Sequence, residues 1–509
     1  MKYLVDAAKM KSIDEYTSNT IGIPSLVLME KAAMAIVEIM KEMITPTDRI
    51  LAVCGTGNNG GDGIAAVRLL MQQGYQADVY LLGEEEHATE QTKQQLHILR
   101  NLGGNVYEDV QIEGYSVIID AIFGVGLSRP ITGRYEQVIR MINEHRNTVY
   151  AVDIPSGIHA DQGKIMNVAV KADYTVTFGV NKIGLVLYPG KEYAGNTVVA
   201  DIGFPTKAIE SVKPNIFTYE REDIKRLPCR KNYSNKGTFG KVLIIAGSRN
   251  MSGACYLSAK AACRSGAGLV KVMTVEDNRS IMQSLLPEAI LATYDPADLK
   301  NKLEVDRIVK EVKWASAIVV GPGIGISAAA DHLLDIVLNY ATVPVVIDAD
   351  ALSLLAGKTQ YILKDSEKEC FSDIDLPENV IITPHLKEMA RLLDCSVTDI
   401  RENLLTIARN AVKGKRFVLA LKDARTIVSD GSRCYINQSG NNGMATAGAG
   451  DVLTGIIVAL LAQGMDRYEA AVLGVYIHGL AGDEAVRSKS TYSLIASDII
   501  EALPLVLHE

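Results

Sequence analysis

Tryptophan occurs once in this chain and phenylalanine seven times in 509 residues. Aromatic stacking therefore cannot supply most of the packing, and the cores must be aliphatic. Cysteine is also scarce and badly spaced for covalent or metal work. The seven thiols, Cys54, Cys229, Cys255, Cys263, Cys370, Cys395 and Cys434, are odd in number and contain no C-x-x-C. That argues against a disulfide framework or a zinc site and leaves buried free thiols as the expectation. No apolar run reaches the length needed to cross a bilayer. Met1 to Asp6 opens no apolar segment with a small-residue cleavage pattern, so nothing directs export and a cytoplasmic protein is expected. Positive charge is in deficit: 52 basic against 60 acidic residues gives −8. A large nucleic-acid footprint is thereby disfavoured, and a phosphate-bearing ligand must be held by local backbone donors, not by a basic field.

What is present is a globular composition, 48% hydrophobic and 22% charged, on a chain long enough for two or three domains. Its most informative stretch is Asn442-Gly443-Met444-Ala445-Thr446-Ala447-Gly448-Ala449-Gly450-Asp451, followed by the apolar run Ile456 to Leu461. Small residues before an apolar helix leave the amides of Gly448 to Asp451 free at a helix start, a ready anion site. Asp451 would repel a phosphate unless it has a task, such as taking a proton from an attacking hydroxyl. The alternative is a glycine-rich loop with an aspartate helix cap.

A second glycine-rich site lies early. The strand-like run Arg49 to Cys54 leads into Gly55-Thr56-Gly57-Asn58-Asn59-Gly60-Gly61-Asp62-Gly63 and a helix-like run to Gln73. Strand, glycine loop, helix is the layout of a doubly wound phosphate site. The amides and carboxylate in the loop suit oxygen coordination of a monovalent cation as well as phosphate contact. Two further strands, Val117 to Ala121 and Tyr150 to Val152, end in Asp120 and Asp153 with glycine loops after them. Ligands bind outside the carboxyl ends of parallel strands, so Asn59, Asp120 and Asp153 are expected at one edge. Upstream, Ser12 to Thr20 reads as polar, and a helix is expected from about Ser25 to Met43, its Leu26, Met29, Ala33, Ile36 and Met40 recurring at helical spacing. Lys182-Ile183-Gly184 reads as a turn. Lys213-Pro214 and the mixed-charge stretch Tyr219 to Arg230 have no sustained apolar run and mark the domain boundary.

Beyond it, strands expected at Lys241 to Ala246, Ala317 to Val320, Val345 to Ile347, Val380 to Ile382 and Phe417 to Leu421 each end in glycine or polar residues, with helices between. A second parallel α/β layer follows.

The motifs G-N-N-G-G-D-G (57–63), D-A-I-F-G-x-G (120–126) and D-I-P-S-G (153–157), with Leu28-Met29-Glu30-Lys31-Ala32-Ala33, resemble the NAD(P)HX epimerases over roughly residues 1 to 215. The resemblance implies that Asn58, Asn59, Gly60, Gly61 and Asp62 bind the hydrated cofactor, with Gly124, Val125, Gly126, Leu127, Ser128, Arg129 and Pro130. It implies a potassium ion on Asn59, Asp120 and Ser156. Asp153 would contact the substrate and is the candidate acid/base for inverting the hydrated carbon.

The motifs S-G-A (252–254), G-P-G-x-G (321–325), D-A-D-A-L (348–352), T-P-H (383–385) and N-x-M-A-x-x-G-x-G-D (442–451) resemble the ADP-dependent NAD(P)HX dehydratases, a branch of the ribokinase-like kinases, over residues 220 to 509. By that match Ala254, Gly323, His385 and Asp451 would meet the hydrated cofactor. Lys422, Asp423, Ala424, Arg425, Thr426 and Gly450 would meet ADP, with a magnesium ion at the site. Asp451 would activate the C6 hydroxyl toward the phosphoryl group. Two positions depart from the family's usual residues: Ala449 stands where Ser or Thr is common, and Lys422-Asp423 where Lys-Gly is.

The expected architecture is α/β, an N-terminal Rossmann-like doubly wound sheet followed by a ribokinase-like domain. The expected function is bifunctional metabolite repair, epimerising the R and S hydrates of NADH and NADPH and dehydrating the S form back to NAD(P)H with ADP, giving AMP and phosphate. Its expected partners are these small molecules, with neither nucleic acid nor membrane, in a homo-oligomer. A kinase of a small alcohol carrying a regulatory N-terminal domain is the alternative, and a non-catalytic N-terminal scaffold is a third.

Overall fold

The computed structural model of the chain describes all residues except Val110, Arg146, 364–375 and Glu509. Two compact units emerge, Tyr3–Ile216 and Met1–Lys2 with Phe217–Glu509.

In the unit Tyr3–Ile216, seven parallel strands lie in the order Val106–Tyr107, Gln76–Leu81, Arg49–Cys54, Val117–Ala121, Thr148–Val152, Tyr174–Phe178 and Asn196–Ala200. The chain starts mid-sheet at Arg49–Cys54, runs outward one way and then returns to build the other half from Val117–Ala121. Between those two strands the winding direction reverses, and there the loops after each strand diverge and open a crevice. Strands buried on both faces need continuous apolar sequence, and Val117–Ala121 is buried at every position. The helix Ser25–Lys41 buries Leu28, Met29, Ala32, Ala33, Ile36, Val37 and Met40 against the sheet, with Leu26 half-buried. The stretch Ser12 to Thr20, read as merely polar, is instead the end of a helix Ala7–Glu15 and a wider helical turn Tyr16–Ile21. Asp6 caps that helix by accepting from the amide of Lys9 at 2.7 Å.

The second unit repeats the logic. Its parallel strands run Ile290–Tyr294, Leu269–Val275, Lys241–Ile245, Ala317–Val320, Val345–Ile347, Val380–Ile382 and Val418–Leu421. Again the first strand in sequence, Lys241–Ile245, abuts the one where direction reverses, Ala317–Val320. The layer is not parallel throughout. Ile427–Ser429 and Cys434–Ile436 extend it as an antiparallel meander beyond Val418–Leu421, because the two short connections there allow only hairpins.

The helix Ala449–Ala462 is buried on nearly every side, as expected of one apolar all round. It crosses the helix Ser252–Arg264 so closely that a Cβ on Gly455 would lie 2.2 Å from the carbonyl oxygen of Ser258. At that crossing the Ser258 and Thr454 hydroxyls hydrogen-bond at 3.0 Å, and Thr454 donates its own proton to the Asp451 carbonyl at 2.8 Å. Cys54, Cys255 and Cys434 are buried free thiols, whereas Cys229 is exposed and Cys263 and Cys395 are half-buried. Cys370 lies outside the described residues. Among the described residues no helix is long and apolar enough to cross a membrane.

Candidate active sites

The crevice in the unit Tyr3–Ile216 is a cavity of about 750 Å³. Its walls come from the loop after Arg49–Cys54, the loop after Val117–Ala121, the strand ends at Asp153 and Phe178, and the helix Ala7–Glu15. Asn58, Asn59 and Asp62 line it, as do Gly124, Val125, Gly126, Leu127, Ser128 and Arg129. Gly60, Gly61 and Pro130, expected with them, are absent from the wall. Gly60 and Gly61 are buried and serve the turn: a Cβ on Gly60 would fall 1.8 Å from the Gly55 carbonyl oxygen, and one on Gly61 2.6 Å from the Met29 side chain.

Asp120 and Ser156 are brought together as expected, and both are fully buried. The Ser156 hydroxyl donates to Asp120 Oδ1 at 2.5 Å, its amide donates to Asp120 Oδ2 at 2.8 Å, and the Phe123 amide donates to the same hydroxyl at 2.8 Å. Burial lifts the Asp120 carboxyl to about 6, while the bonds from Ser156 pull the other way. Asn59 reaches the neighbouring loop, its Oδ1 3.1 Å from where a Cβ of Gly124 would stand. Its side-chain nitrogen is buried without a partner among the described residues. Among the described residues no group of three His, Cys, Asp or Glu side chains could hold a metal. A cation in this cluster would rest on one carboxylate and neutral oxygens, a donor set that fits a monovalent ion better than magnesium or zinc.

Asp153 is placed at the cavity with backbone φ of 64°, a left-handed conformation uncommon for a residue with a Cβ. Lys182 Nζ donates to its Oδ1 at 2.5 Å, with the Thr177 hydroxyl and the Phe178 amide on the same oxygen at 3.1 and 3.2 Å. Among the described residues Oδ2 receives no hydrogen bond. Lys182 is fully buried and also lines the cavity. Sequence reading missed it, because a lysine in a Lys-Ile-Gly turn carries no local sign of burial; only the strand pairing of Val5 with Lys182 sets it there.

In the second unit Ala254, in the first turn of the helix Ser252–Arg264, meets Gly323 from the loop after Ala317–Val320. A Cβ on Gly323, whose φ is 60°, would stand 2.9 Å from that of Ala254. The strand ends beside this point supply the charges. Lys422 Nζ donates to Asp348 Oδ1 at 2.6 Å, and a Cβ on Gly450 would lie 3.3 Å from that nitrogen and 3.6 Å from Asp348 Oδ2. Gly450 and Asp451 open the helix Ala449–Ala462, capped by Gly448 at φ 87° without a side-chain hydrogen bond. Burial raises the Asp451 carboxyl to about 7, Asp348 raises it further, and Lys422 opposes. An acid poised near neutrality suits proton transfer at the pH of a cell.

His385 caps the helix Leu386–Leu393 through its ring. Nδ1 accepts from the amides of Lys387 and Glu388 at 3.0 and 3.2 Å. That leaves Nε2 as the protonated nitrogen of a neutral ring, 3.4 Å from Glu388 Oε1. Burial and the nearby Lys422 ammonium lower its pKa accordingly. Glu388, not singled out from sequence, is pushed up to about 7, chiefly by burial. Of the turn expected to meet a nucleotide, Asp423 and Ala424 are exposed and Thr426 is half-buried. Arg425 is buried, with Nη1 donating to the Gln438 carbonyl at 3.1 Å.

Comparisons with known proteins follow the two units. A family model described as YjeF-related protein N-terminus matches residues 25–184, and one described as NAD(P)H-hydrate dehydratase matches residues 242–505. The bifunctional NAD(P)H-hydrate repair enzyme of Moorella thermoacetica is 37% identical over 524 residues, covering 99% of this chain and 96% of its own length. That of Escherichia coli is 31% identical over 495 residues, covering 96% and 91%. Among solved structures, a ribokinase-like superfamily protein from Enterococcus faecalis is 29% identical with a TM-score of 0.50, covering 57% of this chain and 95% of that one.

Proposed function

This chain belongs to the bifunctional NAD(P)H-hydrate repair enzymes, and on that premise we propose that it returns both epimers of hydrated NADH and NADPH to the working cofactor. Residues 1–215 carry the epimerase and 220–509 the dehydratase. The observation that carries this reading is Asp451. A carboxyl poised near neutrality stands in the first turn of an otherwise apolar helix, one residue from the Lys422–Asp348 pair.

In the dehydratase, Asp451 takes the proton of the C6 hydroxyl as that oxygen attacks the terminal phosphoryl group of ADP. The amides of Gly450 and Asp451 face the migrating phosphoryl, as helix-start amides do. AMP departs, and phosphate then leaves C6 in place of the far poorer hydroxide while C5 gives up a proton to water, which restores the C5–C6 double bond of the dihydronicotinamide. Lys422, Asp423, Ala424, Arg425 and Thr426 hold the nucleotide, Arg425 by shaping the turn from beneath. Ala254, Gly323 and His385 hold the hydrated ring, His385 offering its Nε2 proton as a neutral donor. A magnesium ion would come with the nucleotide's phosphates, which supply most of its oxygens.

In the epimerase, the cavity lined by Asn58, Asn59, Asp62 and the loop Gly124 to Arg129 binds the hydrated cofactor, with Gly60, Gly61 and Pro130 holding the loops in shape. Asn59, Asp120 and Ser156 hold potassium, which would fix the two glycine loops about one charge. Asp153 serves as acid/base. The free cysteines fit a reducing, cytoplasmic setting, and a homo-oligomer acting on small molecules alone is the assembly we favour.

The test is incubation of mixed hydrate epimers with ADP or ATP, with and without potassium. Full recovery of dihydronicotinamide absorbance with ADP converted to AMP is expected. A stable phosphorylated alcohol, with no absorbance regained, would point to a small-molecule kinase instead.

A further inference from the structure

Six charged side chains line the epimerase cavity: Lys11, Asp14, Asp62, Arg129, Asp153 and Lys182. Two of the acids are built in opposite ways. Asp153 presents one oxygen to an ammonium, a hydroxyl and an amide, and keeps the other open. Asp62, just past the first turn of the helix Asn58–Gln72, receives no hydrogen bond and no ion pair among the described residues. The carboxyls nearest to it in effect are Asp153 and Asp14. A half-buried acid sharing a cavity with two other acids, with no hydrogen bond or cation of its own among the described residues, favours the neutral carboxyl. One wall of the cavity therefore holds a proton acceptor and another a proton donor, the arrangement that assigns base and acid to a pair of like residues.

We propose that Asp62 is the proton donor of epimerisation and that the reaction runs by cleavage of the C6–O bond. This rests on the epimerase reading above. Asp62 gives its proton to the C6 hydroxyl, the C6–O bond breaks with its electron pair leaving as water, and the N1 lone pair closes a C6–N1 double bond. A water molecule then adds to C6 from the opposite face, its proton passing to Asp153 Oδ2. In the reverse direction the two acids exchange roles, and proton exchange with solvent in the open cavity resets them. Loss of solvation at the cavity wall raises the Asp62 carboxyl well above the carboxylate range, with Asp153 and Asp14 adding to it, which supports the same assignment.

The experiment uses the full chain, one purified hydrate epimer, no nucleotide, and water enriched in heavy oxygen. Chiral separation reads the rate, and mass reads the label. One heavy oxygen per inversion is expected; inversion with the original oxygen retained, as ring opening at the C6–N1 bond would give, overturns the proposal without any variant. In Asp62→Asn, kcat for epimerisation is expected to fall by about a hundredfold or more, with KM within about twofold and dehydration of the S hydrate with ADP unchanged. An Asp62→Asn rate within about threefold of the parent overturns the assignment. If the parent itself fails to invert the hydrate, the epimerase reading falls and the proposal with it, an outcome distinct from a label-free inversion.

Discussion

The ammonium of Lys422 rests 2.6 Å from Asp348 Oδ1 while the Asp348 side chain keeps only 2% of its surface exposed. This pair contributes most of the charge that Asp451 feels from the strand ends, since Asp348 raises the Asp451 pKa and Lys422 lowers it, with Asp350 adding a smaller upward push. Removing the cation alone should thus do more than weaken nucleotide binding. In Lys422→Met the acid limb of the dehydration profile is expected to move to higher pH, read as kcat against pH. The uncompensated Asp348 should also cost about 3 kcal/mol of stability in denaturant titration.

Asp451→Asn should lower dehydration by about 10² to 10⁴-fold and leave epimerisation untouched, both followed on the same preparation. Its stability should change with a definite sign. The folded pKa of about 7 exceeds the 3.8 of a free aspartate, so the folded state binds this proton more tightly than the unfolded chain. Stability from that proton is complete below about pH 4 and is lost as pH rises toward 7. The Asn variant should accordingly melt higher than the parent above pH 7 and converge with it in acid, as thermal scans across that window would show.

Asp153→Asn keeps an acceptor for Thr177 and Phe178 but removes the counter-charge of a fully buried ammonium. Epimerisation should be abolished and dehydration by the second unit retained. An unchanged inversion rate in a chiral assay would remove Asp153 from the mechanism. Melting of the unit Tyr3–Ile216 should drop, because unpairing a buried ion costs about 3–5 kcal/mol.

Two glycines at the start of the helix Asn58–Gln72 should behave in opposite ways. A Cβ on Gly60 would lie 1.8 Å from a backbone oxygen, whereas one on Gly57 has nothing within 4 Å. Gly60→Ala must displace the loop from the Arg49–Cys54 strand end, so epimerase activity and at least about 2 kcal/mol of stability should go. Gly57→Ala should fold normally, and a comparison of melting temperatures and inversion rates separates the two.

The buried strands Val117–Ala121 and Ala317–Val320 were legible because continuous apolar runs ending in Asp-Ala or Gly-Pro-Gly have few other uses. The helix start at Gly448 to Asp451 was legible from its small residues before an apolar run. The helix Ala7–Glu15 was not, since its buried face amounts to Met10 and Ile13, too few residues to show a period. Nor were the three-residue strands Ile427–Ser429 and Cys434–Ile436, which are shorter than any alternation could reveal.

The order of residues was enough to set two α/β layers, their glycine loops, and which acids end which strands, because those features follow from apolar run length and local backbone sterics. Pairing was decided in three dimensions. That Lys182 answers Asp153, that Lys422 answers Asp348 and that Asp62 has no answering cation among the described residues depend on which elements the fold sets side by side. Side chains far apart in sequence are buried together only after the sheet has closed, and burial is what turns an ordinary carboxyl into a proton donor or a fixed charge.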